Sequence, residues 1–475
     1  RNGRKNGQGE FRMSVNTPSQ EHTARQPDWA LMRAFVEGRR AVLLDSTYLT
    51  KLPGHDADTY KLFSERSYLF NATQRSVDGL VGLMFRKAPA AEWSESFAPY
   101  ADDMTRTGHS AAQFAEQIAN EVVTVGACGV LVDHPAQEAP GTLAQADALS
   151  QRPYARLYTI ENVLSVRETV IGSDRVYSQI RLAEINSQPD PQDEFADINT
   201  DRVRVLDLDE SGNYRVRVYE KREGSPDTEF VLISEEWPRR AGSMLQEIPF
   251  RFFTRRGNVA DYPKPPLLDL AESNNSHLND SALLQWGLMW TANPTPCFID
   301  LKLAEGETVK LGSSNGLMFG EGGDGRFMEF SGRGLESIRN SLEDKRRDMG
   351  TLGARMLMEE RKGVEAAQTA QIHRAGENSI LSAIAAQISA GMEWALDTIG
   401  EWAGVPADVS FSINQDYMAT SMNGQDLSAL MMAWQGGGIS QGDLFAVLQR
   451  GEIIDDKKTL EEHQDELEGE ALPFA

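Results

Sequence analysis

The stretch PPLLDLAESNNSHLNDSALLQWGLMWTANPTP, residues 265–296, opens and closes on prolines and has none between. Proline suits the first turn of a helix, where its missing N–H has no intrahelical partner to lose. In a helix interior it costs about 3 kcal/mol, so Asn293-Pro294-Thr295-Pro296 ends what Pro265-Pro266 begins. A long helix from Pro265 to about Trp290 is therefore predicted. The next residues, 297–333, are glycine-rich, with short apolar runs at Phe298–Leu303, Val309–Leu311, Leu317–Phe319 and Phe327–Phe330. They predict a small β unit. A second long helix is expected over Leu335–Glu359, followed by the knot Glu359-Glu360-Arg361-Lys362-Gly363 and a third helix reaching about Trp402. The third helix carries Leu381, Ile384, Ile388, Met392, Ala395, Ile399 and Trp402 on one stripe, spaced three or four apart.

Upstream, residues 1–12 are polar and basic, and Met13 before a Ser/Thr/Pro-rich stretch is a plausible start. A flexible arm is expected as far as residue 26. Helices are expected over Trp29–Leu44, Asp58–Phe85 and Ala111–Val125, the last capped by Ser110 and leading through Gly126 into the buried strand Val130–Val132. From Tyr154 to Trp237 the apolar period becomes two. Strands are predicted at Ala155–Ile160, Asn162–Thr169, Tyr177–Ile185, Val203–Leu208, Tyr214–Lys221 and Glu229–Ile233, with Ile248–Thr254 closing the region. Downstream of the third helix come a strand at Val409–Asn414, helices at Gln425–Trp434 and Ser440–Gln449, and an acidic tail. The fold class is α+β.

Composition narrows function mainly by exclusion. The 475 residues include 71 acidic and 47 basic side chains, a net charge of −24. That is a poor footprint for gripping nucleic acid, because each phosphate contact usually takes a Lys or Arg. Cys128 and Cys297 are the two cysteines, too few for a disulfide framework or a paired-cysteine zinc site. No run of about eighteen apolar residues spans a bilayer.

Enzyme-like signals are weak. Gly320-x-Gly322-x-x-Gly325 matches a dinucleotide fingerprint in form, but no helix opens on its last glycine. It reads as a glycine-rich hairpin loop. Asp207-x-Asp209-x-Ser211-Gly212 lacks the acidic twelfth ligand of a calcium loop and reads as a β-turn. The seven histidines show no metal-binding spacing, and no Walker motif occurs. No catalytic residue, metal or cofactor is assigned, and the chain reads as a non-enzyme.

The segment Tyr68-x-x-Asn71-x-x-x-Arg75-x-Val77-Asp78-Gly79-Leu80-Val81-Gly82-x-x-Phe85-Arg86-Lys87-x-Pro89 resembles the N-terminal signature of a portal-like family of tailed bacteriophages, long catalogued only as a domain of unknown function. Ala375-Gly376-Glu377-Asn378-Ser379-x-Leu381 resembles its later helix. Leu430-x-x-Ala433-Trp434-Gln435-x-Gly437-x-Ile439-Ser440-x-x-x-Leu444 resembles its C-terminal region, so the likeness runs from about residue 27 to 468.

The resemblance implies a portal fold: an α/β wing, a two-helix stem, a small β-rich clip, a long wing helix and a helical crown. On this sequence the arm would be 1–26, the wing 27–262, the stem helices 263–290 and 335–359, and the clip 291–334. The tunnel loop would be 360–368, the long wing helix and its strand 369–419, and the crown with the acidic tail 420–475. It further implies a homo-oligomeric ring, typically a dodecamer, at the portal vertex of a virion made in a host cytoplasm. Double-stranded DNA would pass through the ring during packaging and ejection. Partners would be the terminase large subunit, a head-tail adaptor, and major capsid and scaffolding proteins, with no membrane. Arg361 and Lys362 become the candidates to face DNA at the tunnel loop, with Lys302 and Lys310 in the clip. Arg339, Lys345, Arg346 and Arg347, beside Glu343 and Asp344, become candidates for contacts between stems. The competing readings are another virion structural protein, such as an adaptor or minor capsid protein, or a metal-dependent packaging nuclease.

Overall fold

The computed structural model describes residues 14–44, 46–135, 152–222, 229–293, 295–302, 309, 319–329, 331–354, 380–415, 417, 424–435, 438–450, 454 and 458–469. The first helix starts well before its expected place. Helix α1 runs Gln20–Glu37, with Ser19 as its N-cap accepting from the His22 N–H and Gly38 at φ 106° ending it. The expected arm is therefore helical from residue 20. Its buried contacts are few and widely spaced, His22, Trp29, Met32 and Phe35, and the polar residues between them conceal the stripe. Helix α2, Arg39–Leu44, follows.

The single helix expected over Asp58–Phe85 is two, α3 at Ala57–Arg66 and α4 at Ala72–Met84. Asn71 restarts the chain, its side chain accepting the Gln74 N–H at 3.1 Å. Such a capped restart gives the first N–H groups a partner that a continuous helix would not need. After strand β1, Ala90–Glu92, and the short helix α5, Ala98–Asp102, helix α6 covers Ala111–Val125. Ser110 caps it as expected, and Gln113 completes a reciprocal capping box. Gly126 ends it at φ 93°, and strand β2, Ala127–Asp133, follows, buried along its whole length.

Strand β3, Tyr154–Thr159, begins the β region. Strands β4 (Val163–Ile171), β5 (Asp174–Asp190), β6 (Asp193–Leu208), β7 (Tyr214–Lys221) and β8 (Phe230–Glu236) form one antiparallel meander in that order. A ribbon of β9, Arg239–Arg240, and β10, Ser243–Met244, leads to β11, Phe250–Thr254. Strand β2 lies between β11 and β3 in a second sheet. Gly129 of β2 is needed there, since a Cβ would sit 2.1 Å from the ring of Phe250. The turn at Asp209 forms as read, the carboxylate accepting the N–H groups of Ser211 and Asn213 at 2.9 Å each.

Strands β5 and β6 are far longer than their apolar alternation indicates. β4 pairs no further along β5 than Leu182, and β7 no further along β6 than Arg202. Beyond those points β5 and β6 pair only with each other, as a two-stranded arm about 25 Å long. Both faces of the arm meet solvent, so no period-two pattern marks it, and Phe195 on it is 91% exposed.

Three long helices follow: α7 (Leu268–Ala292), α8 (Leu335–Ala354) and α9 (Ile380–Ala403). Between α7 and α8 lie β12, Thr295–Leu301, and β13, Phe319–Met328, an antiparallel hairpin. Strand β14, Ser410–Ser412, pairs with β1. Helices α10 (Gly424–Gln435), α11 (Gln441–Arg450) and α12 (Leu460–Gly469) complete the chain. The main core gathers Trp29, Val122, Leu131, Phe252, Ile388 and Ile399 between α1, α6, α9 and the second sheet. Gly391 of α9 faces the ring of Phe253 so closely that a Cβ would stand 2.2 Å from it.

Candidate functional site

Helices α7 and α8 pack antiparallel, about 37 and 30 Å long at 1.5 Å per residue. Midway along the pair, the Lys345 ammonium donates to Asp280 at 2.6 Å and the Ser341 hydroxyl to the same carboxylate at 2.8 Å. Towards the hairpin end, Leu284, Leu335 and Leu342 form a buried cluster with Leu288 and Ile338 against it. Gly287 lets the two helices close there, because a Cβ would lie 2.5 Å from a methyl of Leu335. This is ridge-into-groove packing tightened by one missing side chain.

Two polar residues fasten α7 to the helical half, and sequence reasoning missed both. Asn274 is fully buried. Its carbonyl oxygen accepts the N–H groups of Ala72 and Thr73 at 3.0 and 3.1 Å, and its amide donates to the Phe70 carbonyl at 2.7 Å. One side chain therefore caps α4 from another helix. His277, one turn on, is also fully buried, and neither ring nitrogen has a hydrogen-bond partner among the described residues. Burial, then the nearby Arg346 and Lys345 cations, push its pKa down to about 4, with Asp280 opposing. The only trace of either in the sequence is a polar residue recurring on an otherwise apolar helix face.

The Gly320–Gly325 fingerprint lies inside strand β13, which corrects the expected hairpin loop. Gly320 and Gly325 are steric, while Gly322 stands at φ 88° with open space around it. A Cβ on Gly320 would sit 1.9 Å from the Asp300 carboxylate, and one on Gly325 2.8 Å from the Phe319 ring. Asp300 itself is at φ 53°, where the register shifts between Ile299 and Leu301. The resulting hairpin leaves Ile299, Phe327 and Met328 largely in solvent. Lys302 is exposed just past β12, while Lys310, Arg361 and Lys362 lie outside the described residues.

The charged residues singled out on α8 divide. Lys345 is half-buried and engaged with Asp280 of its own chain. Arg339, Glu343, Asp344, Arg346 and Arg347 are exposed. Arg347 approaches Asp344 at 3.7 Å, and the Arg346 guanidinium lies over the Phe70 ring at 5.2 Å. Exposed pairs of this kind contribute only about 0–1 kcal/mol. Among the described residues no group of three or more His, Cys, Asp or Glu side chains is placed to hold a metal ion, and no helix is long and apolar enough to cross a membrane.

A family model described as a domain of unknown function (DUF4055) matches residues 266–403, the stretch from the start of α7 to the end of α9. No curated protein matches the chain. Among solved structures, a chain from the virion of a native gene transfer agent (GTA) particle aligns at 12% identity and a TM-score of 0.39, covering 88% of this chain and 98% of that one. A chain from the neck of an empty GTA particle, computed with C6 symmetry, aligns at 13% identity and 0.38, covering 84% and 95%. Another, from the neck of a native GTA particle computed with C12 symmetry, aligns at 12% identity and 0.37, covering 86% and 98%. TM-scores of this size do not establish a common fold.

Proposed function

We propose that this chain is a portal subunit of a phage-like particle, one member of a ring through which double-stranded DNA enters and leaves the capsid. The observation that carries the reading is the antiparallel α7–α8 pair with an exposed hairpin inserted between its helices, followed by the long α9. In this reading α7 and α8 are the stem, the β12–β13 hairpin is the clip, α9 is the long wing helix, and α10–α12 belong to the crown. The clip would dock the terminase large subunit and later the head-tail adaptor, and its exposed Ile299, Phe327 and Met328 are suited to such contacts. The ring would be a dodecamer, set among capsid and scaffolding proteins at one vertex.

The charge balance agrees with a conduit. A net charge of −24 disfavours tight phosphate binding, which would stall a sliding duplex. Helix α7 adds no base of its own between Leu268 and Ala292, only Asp269, Glu272 and Asp280. Transient contacts would then fall to Arg361 and Lys362 at the tunnel loop and to Lys302 or Lys310 in the clip. Negative-stain images of the purified protein test the reading. Closed rings with a central hole of about 20 Å or more are expected. Monomers, or hydrolysis of DNA on adding a divalent metal, would overturn it.

A further inference from the structure

The segment around Arg75 contains two glycines, Gly79 and Gly82, that no described residue packs against. Helix α4 buries Thr73, Val77, Leu80, Val81 and Met84. Its other side shows Arg75, Asp78, Gly79 and Gly82 to solvent. A Cβ at either glycine would meet nothing within 4 Å, so neither is required by packing against the described residues. A glycine in an exposed helix interior costs about 1 kcal/mol relative to alanine. Beside this strip the Phe70 ring lies under two guanidiniums, that of Arg75 at 5.4 Å and that of Arg346, from α8, at 5.2 Å. Neither arginine has a carboxylate partner among the described residues, although acids outnumber bases 71 to 47 along the chain. The ring orients the two cations, and no carboxylate among the described residues neutralises them.

The opposite imbalance occurs on α9. Glu393, Asp397 and Glu401 follow one another at intervals of four, so they share a helix face, and Asp408 lies beside them. The Asp397 carboxyl is raised above its usual range by burial and then by Glu393, Glu401 and Asp408. Arg240 reaches Glu401, and Glu393 accepts the Phe411 N–H at 3.1 Å. Asp397 has neither kind of relief among the described residues.

We infer that these two surfaces meet between neighbouring copies: the Arg75–Arg346 face of one subunit receives the Asp397 face of the next, with Gly79 and Gly82 admitting the partner helix closely. The inference rests on the ring reading. A head-to-tail ring gives every subunit both halves of one contact, so Arg75 and Arg346 of one copy and Asp397 of the next, none with a counter-ion among the described residues, complete each other around the circle. Arm-to-arm or face-to-face pairing of like patches would instead set like charges together. Opposite charges at such a seam act mainly on register and partner choice.

Sedimentation velocity of the full chain over a concentration series tests this. Arg75→Glu with Arg346→Glu is expected to raise the concentration at which subunits assemble by about tenfold or more, the ratio that corresponds to about 1.4 kcal/mol. Adding Asp397→Lys to that double variant should bring assembly back towards wild type. Far-UV circular dichroism and the thermal transition, unchanged from wild type, show that the variants are folded. If Arg346→Glu unfolds the chain, Arg75→Ala with Arg346→Ala and the same shift in assembly serve instead. Rings that form equally well in the double variant, or a loss that Asp397→Lys does not relieve, overturn this contact while leaving the ring intact. A wild-type chain that stays monomeric overturns the ring and the contact together.

Discussion

His277 is buried where α7 packs on the helical half, and its titration gives a stability signature. Its pKa in the folded chain is about 4, below the ordinary 6.5, because burial and the Arg346 and Lys345 cations disfavour the imidazolium. Between those two values the unfolded chain holds more protons than the folded one. Stability is therefore fully present above about pH 6.5 and declines as the pH falls towards 4. The expected loss is about 2–3 kcal/mol over that window. His277→Leu should remove this component, flattening the denaturant midpoint against pH in urea titrations. An unchanged slope in the variant would assign the acid sensitivity to other groups. Asn274, by contrast, carries no charge. Its hydrogen bonds to Ala72, Thr73 and Phe70 put two helices under the control of one amide.

Among the elements, the α7–α8 pair depends on contact at Gly287. A leucine there would drive the helices apart at Leu335, at an expected cost of about 1–3 kcal/mol. Hydrogen exchange measures it: Gly287→Leu should quicken exchange across 268–292 and 335–354 while the buried strand 127–133 stays protected. Uniform protection would mean that the pair tolerates separation. These long helices were legible from the sequence because proline brackets α7 and a three-four stripe runs through α9. The capped helix α6 and its strand were legible too, since Ser110 and Gly126 are local signals. What escaped notice was set from a distance. The break before α4 is capped by Asn274, some two hundred residues away, and no local pattern reports it. The Gly320–Gly325 run looked like a loop because steric glycine and turn glycine are identical in sequence, and only the Asp300 bulge distinguishes them. Strands β5 and β6 outran their prediction because the arm buries neither face.

At the scale of the whole molecule, charge sets the terms on which a duplex can be handled. With 71 acids against 47 bases, the chain should bind a free duplex oligonucleotide no more tightly than about 10 µM at 0.15 M salt. Fluorescence anisotropy measures this directly, and a nanomolar Kd would be incompatible with the proposed conduit. The candidate DNA contacts were the least legible part of the proposed function, because a Lys or Arg on a loop carries the same letter whether it meets phosphate or water. Among the α8 residues considered for contacts between subunits, Lys345 lies on Asp280 and Arg346 lies over the Phe70 ring.

The β5–β6 arm has one more property, which concerns enzymes that cut protein. From Leu182 to Asp201 it contains no lysine or arginine, so trypsin finds no bond to cleave along its whole exposed length. Phe195, at 91% exposure, offers itself to chymotrypsin instead. A nick there leaves both halves paired into the five-stranded meander through β4 and β7. The arm is thus a built-in reporter: any partner that covers it in an assembled particle abolishes one cut while leaving the tryptic map untouched.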